Sequence, residues 1–197
     1  MNSDVVIRPP RSRADMRGIW RVDVRCWNDA YCHILPDEAL PSLETVPPTS
    51  SLEERLVYAT SLNESRTGRY VVAVDESAGD AVEESSAGDT TGDHIVGFAA
   101  VRWGEDTKSF VGDDEAGLWV LYVDPAWWGE GIGTRLLESV EEAIPEEYTT
   151  LVLDTLADND VGRRFYRARG FEKRETMQVE ISGEPYAVVI LSRPLRS

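Results

Sequence analysis

The chain is poor in the residues that mark several kinds of protein. Of its 197 residues only two are cysteine, Cys26 and Cys32, and only two are histidine, His33 and His94. The cysteines fall in one helical pattern, about 9 Å apart along its axis at 1.5 Å per residue, too far for a disulfide. Neither histidine has a second ligand at metal spacing, so no metal site is expected. A G-x-S-x-G elbow is absent, which sets aside a serine hydrolase. No apolar run approaches the roughly 20 residues of a membrane span. The first residues hold no apolar stretch of signal-peptide length, so the expected address is cytoplasmic.

Lysine is nearly absent too. Lys108 and Lys173 are the only two, so 18 of the 20 basic residues are arginine, against 36 acids and a net charge of −16. There is no basic stripe for nucleic acid and no basic face for anionic lipid. Acid excess with so little lysine resembles proteins of salt-loving microbes. In molar salt the Debye length shrinks to about 3 Å and screens the self-repulsion of such a surface. A chain of this length buries roughly 70% of its unfolded surface and needs no staples. One domain over residues 1–197 is expected, and a homodimer is left open.

Hydrophobic spacing then orders the chain. Val5 to Arg8 reads as a strand, stopped by Pro9-Pro10. Ser12 opens a helix, with Asp15 as a short-armed capping box and Met16, Trp20, Val24, Trp27 and Tyr31 at helical spacing. A second helix is expected from Ser51, with Glu54 completing its box, Leu52, Leu56 and Val57 on one side, and Gly68 as its stop. Tyr70 to Val74 is a strand. Residues 75–93 hold seven acids and no base, and read as a solvated hairpin insertion. Strands follow at 95–103 and 118–123, then a helix from Gly131 to Pro145 and a strand at 151–154. A short helix capped by Asn159 or Asp160 sends Val161 and Phe165 to the core and Tyr166 to the edge of that face. Its last turn is rich in arginine, and Gly170 ends it. Two strands, 175–181 and 187–191, close the chain around a Ser-Gly-Glu-Pro turn. The order βααβ, ββ, αβαββ is an α/β (α+β) pattern, one mixed sheet flanked by about four helices.

The segment from Leu118 to Leu137 carries the chemistry. A strand ends at Val123, glycines stand at 129, 131 and 133, and a helix starts at once. Glycines let backbone N–H groups converge, and the helix N-terminus adds positive dipole, which together suit a phosphate. In so acidic a chain such a ligand must be held mainly by N–H groups, with Arg135 as a candidate helper. A P-loop is excluded because no Gly-Lys pair exists. A dinucleotide fingerprint fits poorly, since its third glycine is missing and five residues separate strand from turn. Asp154 does end the next strand at the distance of a ribose-binding acid, so an NAD-binding oxidoreductase stays as an alternative.

Val123-Asp124-Pro125, Gly129-x-Gly131-Ile132-Gly133 and the amphipathic helix behind them resemble the cofactor motif of the GNAT superfamily of N-acetyltransferases. Asn159, Phe165-Tyr166 and Gly170-Phe171 resemble that family's N-x-x-A-x-x-F-Y-x-x-x-G-F. Trp27-Asn28-Asp29-Ala30-Tyr31 and Leu35-Pro36-Asp37 resemble the first-helix region of a bacterial and archaeal branch. The chain departs at Trp128, where the family usually has Arg or Gln, and at Gly162, where it has a small Ala.

The resemblance implies a largely antiparallel sheet with a central parallel strand pair. It implies direct transfer of acetyl from acetyl-CoA to an amine, small or on a protein, without a metal. A catalytically idle acyl-CoA-binding regulatory module on the same fold is the other reading. By resemblance, backbone groups of Leu121, Tyr122 and Val123 pair with the pantetheine arm. Gly129, Glu130, Gly131, Ile132, Gly133 and Thr134 hold the pyrophosphate, and Asn159 touches the arm. Tyr166 is the implied proton donor to the leaving thiolate. Asp154 stands where some protein N-terminal acetyltransferases of the family carry a catalytic Glu, and Glu115 is a weaker candidate base.

Overall fold

In the computed structural model, residues 4–77, 94–105 and 107–195 are described. The insertion anticipated at 75–93 therefore lies outside the described residues beyond Ser77. The elements are β1 (Val5–Arg8), α1 (Arg13–Tyr31), α2 (Thr49–Ser65), β2 (Gly68–Asp75) and β3 (Ile95–Arg102). They continue as β4 (Glu115–Val123), α3 (Ile132–Glu141), β5 (Thr150–Leu156), α4 (Asp160–Arg167), β6 (Glu172–Ile181) and β7 (Glu184–Pro194). The strands form one seven-stranded sheet in the order β1-β2-β3-β4-β5-β7-β6. Every pairing is antiparallel except β4 with β5, as the resemblance implied.

Alternation along β2 shows how the sheet is covered. Val71 and Ala73 join the core with Ile132, Leu136, Leu137 and Val140 of α3, while Val72 and Val74 join Met16, Ile19 and Val22 of α1 and Leu52 and Ala59 of α2. Successive strand residues point to opposite faces. Thus α1 and α2 lie on one face and α3 on the other.

Ser12 Oγ caps α1 by accepting the Asp15 N–H at 3.1 Å. The Asp15 carboxylate faces the Ser12 N–H in return, as the expected capping box requires, and has further partners. It accepts the Arg11 N–H at 2.7 Å and the Arg8 fork at 2.8 and 3.0 Å, tying β1 to α1. The second helix differs from its expected form. It starts at Thr49 behind Pro48, with no side-chain cap. Pro48 suits the position because its missing N–H would have been unpaired there. Val57 is 69% exposed, and the buried residues of α2 are Leu52, Ala59 and Leu62. The helix ends on Arg66 at φ 58°, before Gly68, which instead opens β2. A Cβ on Gly68 would stand 2.4 Å from the Val101 carbonyl oxygen, so that glycine serves strand packing. The last turn is tighter than expected, with Ser182 and Gly183 at positive φ and Pro185 already in β7.

The parallel pair positions the site. β4 and β5 stay in register only over Glu115↔Thr150, Ala116↔Leu151 and Gly117↔Val152. Beyond that the strands diverge, and the sheet opens into a cleft. In β4, Trp119 has no partner between the pairs Val101↔Leu118 and Ala100↔Val120, which makes it a bulge at the cleft's start.

Candidate active site

The cleft has a volume of about 670 Å³ and is lined by β4 from Leu118 to Val123, the glycine turn, Asp154, Thr155, α4, and Cys26, Ala30 and Tyr31 of α1. Its walls follow from the ladder. Val123 pairs with Gly97, and the Asp124 N–H donates to the Val96 carbonyl at 2.9 Å. In an antiparallel ladder that spacing turns the N–H and C=O of Val123 and Leu121 away from β3, into the cleft. Tyr122 is the exception among the three strand residues expected to bind. Its backbone groups face Phe98 in the ladder, so it offers only its side chain.

The Val123 carbonyl is already taken. Trp128 Nε1 donates to it at 2.7 Å, and the Cys26 thiol at 3.1 Å. Burial, and then the carboxylates of Asp124, Asp23 and Asp29, push the Cys26 thiol up and keep it protonated. The unusual Trp128 therefore braces the strand end. What remains open on the β4 edge is Leu121 N–H, Leu121 C=O and Val123 N–H.

The glycine turn adds donors. Gly129 and Gly131 lie at φ 89° and 79°, and Gly131 caps α3. Among the described residues, the N–H groups of Gly129, Glu130, Gly131, Ile132 and Gly133 meet no acceptor. A Cβ at Gly129 or Gly131 would meet nothing within 4 Å, whereas at Gly133 it would stand 2.9 Å from the Phe165 ring. The first two glycines thus serve the open turn, and the third lets α4 pack on α3.

The expected cationic helper is not Arg135. Its Nη2 donates to the Val5 carbonyl at 2.7 Å, which pins α3 to β1. Arg164 and Arg169 line the cleft instead. Arg169 bonds the Thr134 hydroxyl and the Phe165 carbonyl, and lies over the Phe165 ring. Its buried Nε has no partner among the described residues. Spacing from the glycine turn could not reveal Arg169. The signal was the arginine load at the end of α4.

Asn159 is buried and caps α4, accepting the Gly162 N–H at 3.0 Å while donating to Thr155 Oγ1 at 3.0 Å and the Tyr31 hydroxyl at 3.4 Å. A Cβ on Gly162 would fall 2.6 Å from Asn159 Nδ2, so the departure from Ala makes room for this cap. The faces of α4 are also corrected. Val161 is 46% exposed, whereas Tyr166 is buried among Phe165 and Phe171 and still borders the cleft. Its hydroxyl has no hydrogen-bond partner among the described residues. Burial, then the neighbouring Tyr31 and Asp154, push it up, so it stays protonated. Tyr31 and Tyr122 are hydrogen-bonded to each other beside it and are likewise raised, chiefly by burial.

Asp154 and Glu115 do not stand alone. Lys108 Nζ donates to Asp154 Oδ1. Arg174 donates to both oxygens of Glu115, at 2.8 and 2.9 Å, and Glu115 also accepts the Gly112 N–H. Glu115 borders no part of the cleft. No group of three or more metal-ligating side chains occurs among the described residues.

Comparisons with known proteins agree with this geometry. Residues 43–171 match the acetyltransferase (GNAT) family. Among solved structures, the PaiA N-acetyltransferase of Thermoplasma acidophilum, in complex with coenzyme A, superposes with a TM-score of 0.66 at 19% identity, covering 97% of this chain and 99% of that one. A ribosomal-protein-alanine N-acetyltransferase of Brucella melitensis gives 0.60 at 22% identity, over 96% and 99%. A phosphinothricin acetyltransferase of Sinorhizobium meliloti in complex with acetyl-CoA gives 0.62 at 19%, over 97% and 88%. At these identities the structures speak for the fold, and the family match carries the assignment: the chain belongs to the GNAT family of acetyltransferases.

Proposed function

We propose that this protein moves an acetyl group from acetyl-CoA to a primary amine by direct attack. The observation that carries the reading is the open backbone edge of β4 beside the unpaired N–H groups of the glycine turn. An extended amide-bearing arm ending in a pyrophosphate fits such a surface. Leu121 and Val123 would hold the arm as a neighbouring strand would, and the turn from Gly129 to Gly133 would hold the pyrophosphate, with the cation of Arg169 beside it. Acetyl-CoA supplies the acetyl group as an activated thioester.

The chain's own groups do the rest. Tyr166 keeps its proton at neutral pH and can present it to the departing thiolate. A thiol has an ordinary pKa of about 8.5, so a raised phenol acts by hydrogen-bonding the growing charge, not by giving the proton up beforehand. The amine must shed its own proton before attack, and Asp154 is the cleft-lining carboxylate that can receive it. The acidic surface favours cationic acceptors over acidic ones by field alone.

Calorimetry with acetyl-CoA, followed by thiol release with an amine panel, tests the reading. Binding followed by release of CoA supports it. Binding without release under every amine assigns the chain as an idle acyl-CoA module, and no binding removes the cleft as a cofactor site.

A further inference from the structure

Resting on that reading, we propose that the end of the cleft beyond Tyr166 is a receptor for a primary alkylammonium group, and that Lys108 occupies it until an acceptor displaces it. Lys108 lies in the connection between β3 and β4 and is one of only two lysines in the chain. Its Nζ donates to Asp154, and stands 5.7 Å from the Trp119 ring centre and 5.8 Å from that of Phe110. Asp154 and Trp119 both line the cleft, and Trp119 is the bulged residue at its start.

A carboxylate and aromatic faces around one ammonium are how proteins recognise cationic amines. Asp154 and Trp119, at the edge of the cleft, therefore already hold the chemical group that the proposed reaction consumes, although Lys108 itself is not part of the cleft lining. Lysine is the side chain that can do this, because its head is a primary amine on an alkyl stem, whereas the arginine fork used elsewhere in the chain is not. The pair is exchangeable. The side chains of Lys108 and Asp154 are 29% and 22% exposed, so water reaches this part-buried pair and an incoming ammonium can replace one partner. Arg102 also lies over Trp119, at 4.5 Å. A second cation beside the first raises the rival that this end holds an acceptor's carboxylate, with Lys108 as its partner.

The experiment is an NMR titration of the unliganded full-length protein with pentylamine and, separately, with valerate. Wild type is compared with Lys108→Met, and with that variant also carrying Asp154→Asn. An internal occupant that fills a site about nine-tenths of the time weakens an outside ligand about tenfold. Lys108→Met should therefore bind pentylamine about tenfold more tightly than wild type, and the added Asp154→Asn should cancel the gain. Equal pentylamine affinity in wild type and Lys108→Met overturns the proposal. So does valerate binding that is lost with Lys108, which would make the lysine an anion ligand. Acetyl-CoA calorimetry on the same samples keeps the two readings apart, because its failure refutes the cofactor site whatever the amines do.

Discussion

The two ends of the cleft are made of different material. At the α3 end the walls are backbone: the N–H groups of the glycine turn, the free edge at Leu121 and Val123, and a helix terminus. At the α1 end they are side chains: Asp154, which Lys108 meets from outside the lining, Trp119 in its bulge, and Tyr31, Tyr122 and Tyr166. A backbone site depends on φ and ψ and is nearly indifferent to side-chain identity. A side-chain site can be retuned by one substitution without moving the chain. The difference suits the proposed reaction, in which the backbone end would serve one constant donor while the side-chain end would set which amine is used.

The sharpest way to break this comparison is at Gly131. Its φ of 79° is costly for any residue with a Cβ and worst for a β-branched one. Because a Cβ there meets no protein atom, Gly131→Val should stay folded. It should lose acetyl-CoA affinity by about a hundredfold or more, roughly 2.7 kcal/mol. Calorimetry on the folded variant decides, and unchanged affinity would make the turn purely structural.

Tyr166 stands where the ends meet. Tyr166→Phe keeps the ring among Phe165 and Phe171 and removes the proton. Turnover should fall at least about tenfold, at the low end of general acid catalysis, with acetyl-CoA affinity unchanged. Full turnover across several amines and pH values would leave water as the donor.

Asn159 tests whether the junction is held by a cap. Asn159→Ala removes the bond to the Gly162 N–H and should cost about 1 kcal/mol, as for other N-caps. Denaturant midpoints read this directly. A loss of acetyl-CoA affinity with no loss of stability would instead make Asn159 a cofactor contact.

The smallest expected effect is general. If the net charge of −16 is an adaptation to salt, the melting temperature should climb steadily with KCl up to molar concentration, where screening is nearly complete. The gain from Lys108→Met should shrink over the same range, because its ion pair is partly exposed and salt screens it. A flat or falling melting curve would separate the acidity from salt.

The faces of α4 show where pattern reading fails. Counting apolar residues put Val161 and Phe165 inside. Val161 is exposed, Phe165 is half-buried against the core, and the buried residue of α4 is Tyr166, whose ring apolar counting puts only at the edge. Proximity in sequence puts Arg135 near the phosphate site, yet its long side chain reaches across to the Val5 carbonyl. The cations that do border the cleft, Arg164 and Arg169, come from the next helix and the turn that follows it. Ser51 and Glu54 have the form of a capping box, yet α2 starts at Thr49, because Pro48 ends the extended segment and sets the helix N-terminus.

The sequence by itself determined the element order, the glycine turn with its helix, and the motif resemblance that points to the family. These are local: strand alternation, helical spacing and positive-φ glycines are written in residues a few positions apart. Tertiary structure decided where β4 and β5 part, that the Val123 carbonyl is closed by Trp128 and Cys26, and that Lys108 meets Asp154 across 46 positions. The first depends on register between strands separated by a helix. The others join side chains whose separation no periodicity encodes. Only a folded chain brings such groups within hydrogen-bond reach.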